Sequence, residues 1–174
     1  MRLNKVTIGI CIVAAILVVA IIVSSTPKTY SNDRYGFSIR PPAGWKIKEN
    51  VRVENFTIIV AFIGPTENNF AVNINIYSER TNQNLQEYTS SNKESLNLYV
   101  PEFNLISEKN RIIGNIKAYE IVYTAKVKNV DLKFEQVVLI KNNRSYIITF
   151  TNLNENFDKY IAVFEKSVDT FKFL

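Results

Sequence analysis

A chain of 174 residues, 47% hydrophobic and 21% charged, holds enough apolar material for one packed domain and too little length for several. Its formal charge of +5 excludes little more than a basic stripe: Arg2 and Lys5 precede an apolar run, and the 19 later cations are interspersed with 16 acids, which argues against nucleic acid as a partner. Histidine is absent and the single cysteine is Cys11, so the commonest general base and metal ligand is missing, no disulfide can form beyond the run, and only carboxylates, Lys, Tyr and Ser remain for chemistry.

Val6 to Val23 is an 18-residue stretch without a charge. As a helix it covers about 27 Å, the thickness of a bilayer core, and only a helix satisfies its backbone groups there. Residues 1–5 carry Arg2 and Lys5, so the positive-inside tendency predicts a cytoplasmic N-terminus and an exported body. A cleaved secretory signal is the alternative; its apolar centre is usually shorter, about 7 to 15 residues, and Val23-Ser24-Ser25 is a mediocre cleavage site. The expectation is therefore a retained signal anchor at the cell membrane, with the C-terminal domain extracytoplasmic. A lipoprotein is excluded because Cys11 lies inside the run with no lipobox boundary.

Residues 24–34 are polar, carry Pro27, and read as a linker; residues 35–174 read as the globular domain. Phe37 and Ile39 alternate with Ser38 and Arg40 as a strand that Pro41 and Pro42 end, and Gly44 lets Trp45 fold back as an apolar plug. Thr57 to Ile63 is apolar on both faces, which predicts a strand covered on both sides, closed by Gly64-Pro65 with a turn over residues 66–69. Phe70 to Ile76 alternates, with Asn73 and Asn75 on its second face, and completes a hairpin. From Asn84 the period becomes helical: Asn84 and Glu87 form a capping box, Leu85, Tyr88, Asn92, Leu96 and Tyr99 share a face, and Pro101 ends the helix. Strands follow over 103–109, 116–127, 132–141 and 144–151, with turns at Gly114 and Asn142-Asn143, most simply as an antiparallel meander. Phe157, Tyr160, Ile161, Phe164, Val168 and Phe171 form the stripe of a last amphipathic helix that must lie on the sheet, capped by Asn154 or Asn156. The fold class is α+β: a central antiparallel sheet flanked by helices after one N-terminal transmembrane helix.

Tyr30, Tyr35-Gly36-Phe37-Ser38-Ile39, Pro42-x-Gly44-Trp45, the meander and the terminal helix closing on Thr170-Phe171 resemble the PsbP-like family over residues 30–174. The resemblance implies an α/β/α sandwich and a bias towards protein binding. It implies no catalytic residues, because the matching positions are packing positions.

No chemical motif rises above chance. Ser90-x-x-Lys93 matches a serine-nucleophile pattern, but its K-T-G companion is missing and Ser25-x-x-Lys28 repeats it by accident. The five glycines form no phosphate loop, and no calcium loop is present. Glu120 and Glu135 could meet across neighbouring strands, where a salt bridge with Lys117 or Lys133 is the simpler expectation. No catalytic, cofactor or metal residue is assigned. Tyr30, Tyr35 and Trp45 could form an aromatic partner surface, or cap the open end of the core. Asn143 and Asn55 head glycan acceptor sequons, Asn143 at a hairpin tip. The expected role is a non-enzymatic module that binds another membrane or envelope protein; the alternative is a small extracytoplasmic hydrolase or ligand carrier with a cleft between sheet and helix.

Overall fold

The computed structural model describes residues 28–53 and 56–174. The apolar run of residues 6–23, Cys11 and the sequon asparagine Asn55 lie outside them. Among the described residues no helix is long and apolar enough to cross a membrane.

Ten strands and two helices follow in the order β1 (Tyr30–Asn32), β2 (Phe37–Ile39), β3 (Lys46–Val53), β4 (Phe56–Glu67), β5 (Phe70–Arg80), α1 (Leu85–Tyr99), β6 (Asn104–Ile113), β7 (Ile116–Val127), β8 (Val130–Lys141), β9 (Arg144–Leu153), α2 (Phe157–Val168) and β10 (Lys172–Phe173). Strands β3 to β9 make one antiparallel sheet in the order β3-β4-β5-β9-β8-β7-β6, and β1, β2 and β10 make a small second sheet. Two meanders thus meet at the β5–β9 pair. Helix α1 carries the chain across the sheet between them.

Each helix covers one face. Even positions of β9 (Tyr146, Ile148, Phe150) and odd positions of β8 (Val137, Leu139) join α2's Phe157, Phe164 and Val168, with Phe171 just beyond them, in the larger core. Phe164 stacks on Phe150 at 5.4 Å between ring centres. Burying these four α2-side residues is worth about 10 kcal/mol before entropy is subtracted. The small sheet closes the same core, with Phe37 stacked on Phe171 at 5.5 Å. Its edge is tied to the end of α2: the Arg40 amide donates to Thr170 Oγ1 at 2.8 Å, and Ser167 Oγ donates to the Arg40 carbonyl at 2.6 Å. On the opposite face α1 presents Tyr88, Asn92, Ser95 and Leu96 to the sheet.

The turns explain themselves through asparagine. Asn68-Asn69, Lys128-Asn129 and Asn142-Asn143 all have positive φ, the left-handed pair that a two-residue hairpin turn demands and that Asn tolerates best after Gly. The predicted box at α1 is present, with the Glu87 amide donating to Asn84 Oδ1 and the Asn84 amide to Glu87 Oε2, both at 3.0 Å.

Four expectations are corrected. Gly64-Pro65 does not close β4; the strand runs on to Glu67 through an irregularity between Ile63 and Thr66, the kind of place where a strand tolerates proline. Gly64 is glycine for another reason: a Cβ there would sit 2.6 Å from the Trp45 ring and 2.7 Å from Val72. Residues 30–32, read as linker, form β1 on β2. The unpredicted β3 is an edge strand whose mixed charges hid its alternation. Asn156 sits at the N-cap of α2 without a side-chain cap bond; a 3-10 turn over Asn154–Asn156 leads into the helix, and Asn152 Nδ2 donates to the Asn156 carbonyl at 2.8 Å.

Candidate functional site

Glu120 and Glu135 do meet, on the α2 face, but the cation between them is Arg111 of β6. Its guanidinium donates to Glu120 at 2.8 Å, to Glu165 of α2 at 2.8 and 3.4 Å, and to Asp169 at 2.9 Å. Lys109 reaches the other Glu120 oxygen at 2.9 Å. Lys133 instead approaches Asp158 at 3.4 Å, and Lys117 lines a cleft by α1. Glu135 lies 3.8 Å from Arg111, with one oxygen buried and unpartnered. Burial pushes its carboxyl up to about 9, helped by a hydrogen bond to Glu165 and the charges of Glu120 and Glu165, against the pull of Arg111. Burial also opposes ionisation of Glu165, but hydrogen bonds from Arg111 and from the Glu135 carboxyl outweigh it and hold Glu165 below the usual range. The arrangement is a protonated Glu135 donating to an ionised Glu165, pinned by one guanidinium.

Oxygens of Glu120, Glu135 and Glu165 lie within 4.8 Å of one another, a donor set of the type hard cations take. Arg111 already supplies positive charge in that space, and the shared proton removes one carboxylate. The chemistry fits a structural clasp between α2 and the β6–β8 strands better than an ion site.

The opposite face holds a second polar layer. Asn73, Asn75, Asn92, Gln136, Thr149 and Thr151 are all buried. Asn92 Nδ2 donates to Gln136 Oε1 at 3.3 Å, and Gln136 Nε2 donates to the Tyr123 hydroxyl at 3.2 Å. Asn73 Oδ1, Asn92 Oδ1 and Thr149 Oγ1 find no partner among the described residues. Alternation placed Asn73 and Asn75 on the second face of β5, and the signal that this face is covered lay in the neighbouring strand, where Thr57 to Ile63 is apolar on both faces.

Between α1 and the β6–β7 edge lies an open cleft of about 510 Å³ lined in part by Ser90, Lys93, Lys117 and Tyr119. Ser90 and Lys93 of the Ser-x-x-Lys pattern both reach it. Lys93 Nζ, however, donates to both oxygens of Glu108, at 2.8 and 3.0 Å, and the Tyr119 hydroxyl donates to Glu108 as well. Those bonds from Lys93 and Tyr119 lower the Glu108 carboxyl, while burial first and Glu108 second raise the Tyr119 hydroxyl. The lysine is thus engaged by Glu108, and among the described residues no hydrogen bond joins it to Ser90.

Tyr30, Tyr35 and Trp45 are half-buried against the α2-face core. Tyr30 meets Phe37 and Phe62 and donates to Glu49 at 2.6 Å; burial, then that bond, pushes its hydroxyl up to about 12. Trp45 lies edge-on to Tyr160, and the Tyr35 carbonyl accepts from the Tyr146 hydroxyl at 2.7 Å. Asn143 is exposed at its hairpin tip with Nδ2 donating to Asn82 at 3.2 Å, while Ser145 of its sequon is buried. Exposed apolar side chains gather elsewhere: Leu98 and Tyr99 end α1, and Leu105 and Ile106 begin the edge strand β6. Tyr99, expected on the α1 stripe, is exposed instead because the last turn of α1 runs past the sheet-facing Leu96, and Leu105 and Ile106 were missed because an apolar residue in an edge strand reads like any core residue.

The profile of a family described as PsbP-like protein matches residues 22–173. Among solved structures, the chain is similar to cyanobacterial PsbP (CyanoP) from Synechocystis sp. PCC 6803, with TM-score 0.63 and 13% identity over 87% of this chain and 95% of that one. It is similar too to LpqN of Mycobacterium tuberculosis, described as involved in cell envelope biogenesis, with TM-score 0.60 and 10% identity over 78% of this chain and 82% of that one. No curated protein matches the sequence.

Proposed function

The chain belongs to the PsbP-like protein family, and from that premise we propose that it is a non-enzymatic protein-binding module of a membrane or envelope complex, held by residues 6–23 with its domain on the extracytoplasmic side. The observation that carries this reading is a contrast between cleft and rim. Lys93 and Tyr119, which line the cleft beside α1, are both spent on Glu108, whereas Leu98, Tyr99, Leu105 and Ile106 stand exposed on both sides of the turn over residues 100–103. They flank the outer edge of the ten-residue β6, which among the described residues pairs only with β7, so backbone groups and apolar side chains are offered together, as in strand addition. LpqN, which shares this fold and is described as involved in cell envelope biogenesis, points the same way.

A ligand-carrier reading has the 510 Å³ cleft on its side, and a small ligand would have to break the Lys93–Glu108 pair or lie beside it. The two separate in one experiment. A photo-crosslinking side chain at Ile106 in source cells should give a discrete protein adduct that Leu105→Glu abolishes, while the same group at Asp158 gives none. Equal labelling from both positions, or no adduct from Ile106, overturns the proposal. Protease added to intact cells should digest residues 28–174; digestion only in inverted vesicles overturns the orientation.

A further inference from the structure

The register of the large sheet sets three cations side by side at one of its ends. Arg80 of β5 lies opposite Arg144 of β9, and Arg144 lies opposite Lys141 of β8. All three fall on the α2 face, in step with Ile76, Ile148 and Val137 of the core. Like charges directly opposite one another destabilise an antiparallel ladder, and the usual remedy is an acid at one position. Here there is none: the ion pairs of the described residues all lie elsewhere.

A further cation borders the row, Arg34 from the β1–β2 turn. The guanidinium carbons of Arg34 and Arg144 lie 5.6 and 5.3 Å from the centre of the Tyr35 ring, and Lys141 Nζ lies 5.6 Å from that of Phe173. Ring faces of this kind hold cations in place without neutralising them. The small sheet thus organises a charge that the large sheet concentrates, and three of the four cations are exposed, with Arg144 half-buried.

We infer that this row is a docking surface for the headgroup layer of an anionic bilayer. The inference rests on the anchored reading given above. From Val23, the end of the apolar run, seven residues lead to Tyr30, at most about 25 Å of extended chain. Strand β1 then runs straight into the turn that carries Arg34. A tether of that length keeps the row beside the membrane surface, where an anionic leaflet attracts each nearby cation by about fivefold in binding. The far end of the molecule is left free. Strand β5 runs from Phe70, in the cluster with Leu96 and Val100, to Arg80, so about 33 Å separates the apolar rim at α1's last turn from the cationic row. One end faces lipid and the other end faces a partner.

The test uses the full chain in lipid nanodiscs, with Cys11→Ser and a dye on Asn82→Cys beside the row, and an acceptor dye in the headgroup layer. Energy transfer should be higher with one-third phosphatidylglycerol than with phosphatidylcholine alone, and the excess should vanish in 0.5 M salt. Arg80→Gln/Lys141→Gln/Arg144→Gln should lower the docked-to-undocked ratio roughly 100-fold, at fivefold per cation. Relieved of its like-charge contacts, that variant should fold at least as stably as the parent. Equal transfer in the two lipids, or an excess that the triple variant keeps, overturns the inference; so does an excess reproduced in neutral discs by added polyglutamate, which would assign an acidic protein instead. If the chain leaves the discs altogether, it is the anchored reading that fails. Cosedimentation of the same chain with phosphatidylglycerol vesicles then decides the row: binding lost in the triple variant sustains it, and no binding overturns it.

Discussion

Replacing Glu135 with Gln should make this protein more stable, and the gain should depend on pH. Folded Glu135 keeps its proton up to about pH 9, because burial disfavours the anion and Glu165 and Glu120 are already negative nearby, while the carboxyl of an unfolded chain titrates at 4.5. Between those values the native state binds one more proton than the unfolded chain, so stability falls as pH rises, by 1.36 kcal/mol per unit. At pH 7 the wild type has lost about 3 kcal/mol in this way. Glutamine carries no such loss, and its Nε2 can donate to Glu165 in place of the carboxyl proton. With the Glu135 side chain only 5% exposed, little is given back to solvent screening. Urea unfolding followed at Trp45, the single tryptophan, should show a midpoint roughly 1.5 M higher for Glu135→Gln at pH 7, taking m near 2 kcal/mol/M, and a difference under about 1 kcal/mol at pH 5. Glu120→Gln should go the other way, by about 2 kcal/mol, since Glu120 accepts from Arg111 and Lys109 as an ion. If Glu135→Gln brings no gain at pH 7, or the same gain at pH 5, the shared-proton clasp is wrong.

Gly64→Ala drives a methyl into the Trp45 ring and Val72, both closer than 3 Å, and should cost about 1 to 3 kcal/mol with a shift in Trp45 emission; an unshifted spectrum would show that the ring is not packed there. Thr149→Val removes a buried hydroxyl that has no partner, at nearly constant shape, and should stabilise by about 1 kcal/mol in the same urea assay; a loss instead would reveal water satisfying it. Asn84→Ala breaks the capping box of α1 and should cost about 1 kcal/mol, with hydrogen exchange speeding up first in residues 85–88 and not in α2.

The elements were legible wherever one local rule sufficed. The box at Asn84 and Glu87, the Asn142-Asn143 turn and the stripe from Phe157 to Phe171 each state their structure within a few residues. What failed was whatever depends on a distant neighbour. Lys46 to Val53 alternates too weakly to declare itself, and becomes a strand because β4 offers it an edge. Gly64-Pro65 has the chemistry of a stop, yet the chain continues through it, since the bulge lets proline forgo its donor while Trp45 fills the room that glycine leaves.

The charged groups mark the same limit more sharply, because register decides what a side chain meets. Glu120 and Glu135 are fifteen residues apart and were recognisable as candidates to meet, but their cation came from Arg111 on a third strand, which no spacing between the first two could reveal. Arg80, Lys141 and Arg144 read in sequence as scattered positive charge on a mixed surface. Only the pairing of β5, β9 and β8 turns them into a row, and at that point the absence of a neutralising acid becomes informative: a ladder that needed only stability would have placed one there. The carboxylate clasp near β6–β8 carries its own cations, Arg111 and Lys109, whereas the cationic row takes part in no ion pair of the described residues. The second, by the same electrostatic reasoning that explains the first, is where the molecule has charge left over for something outside itself.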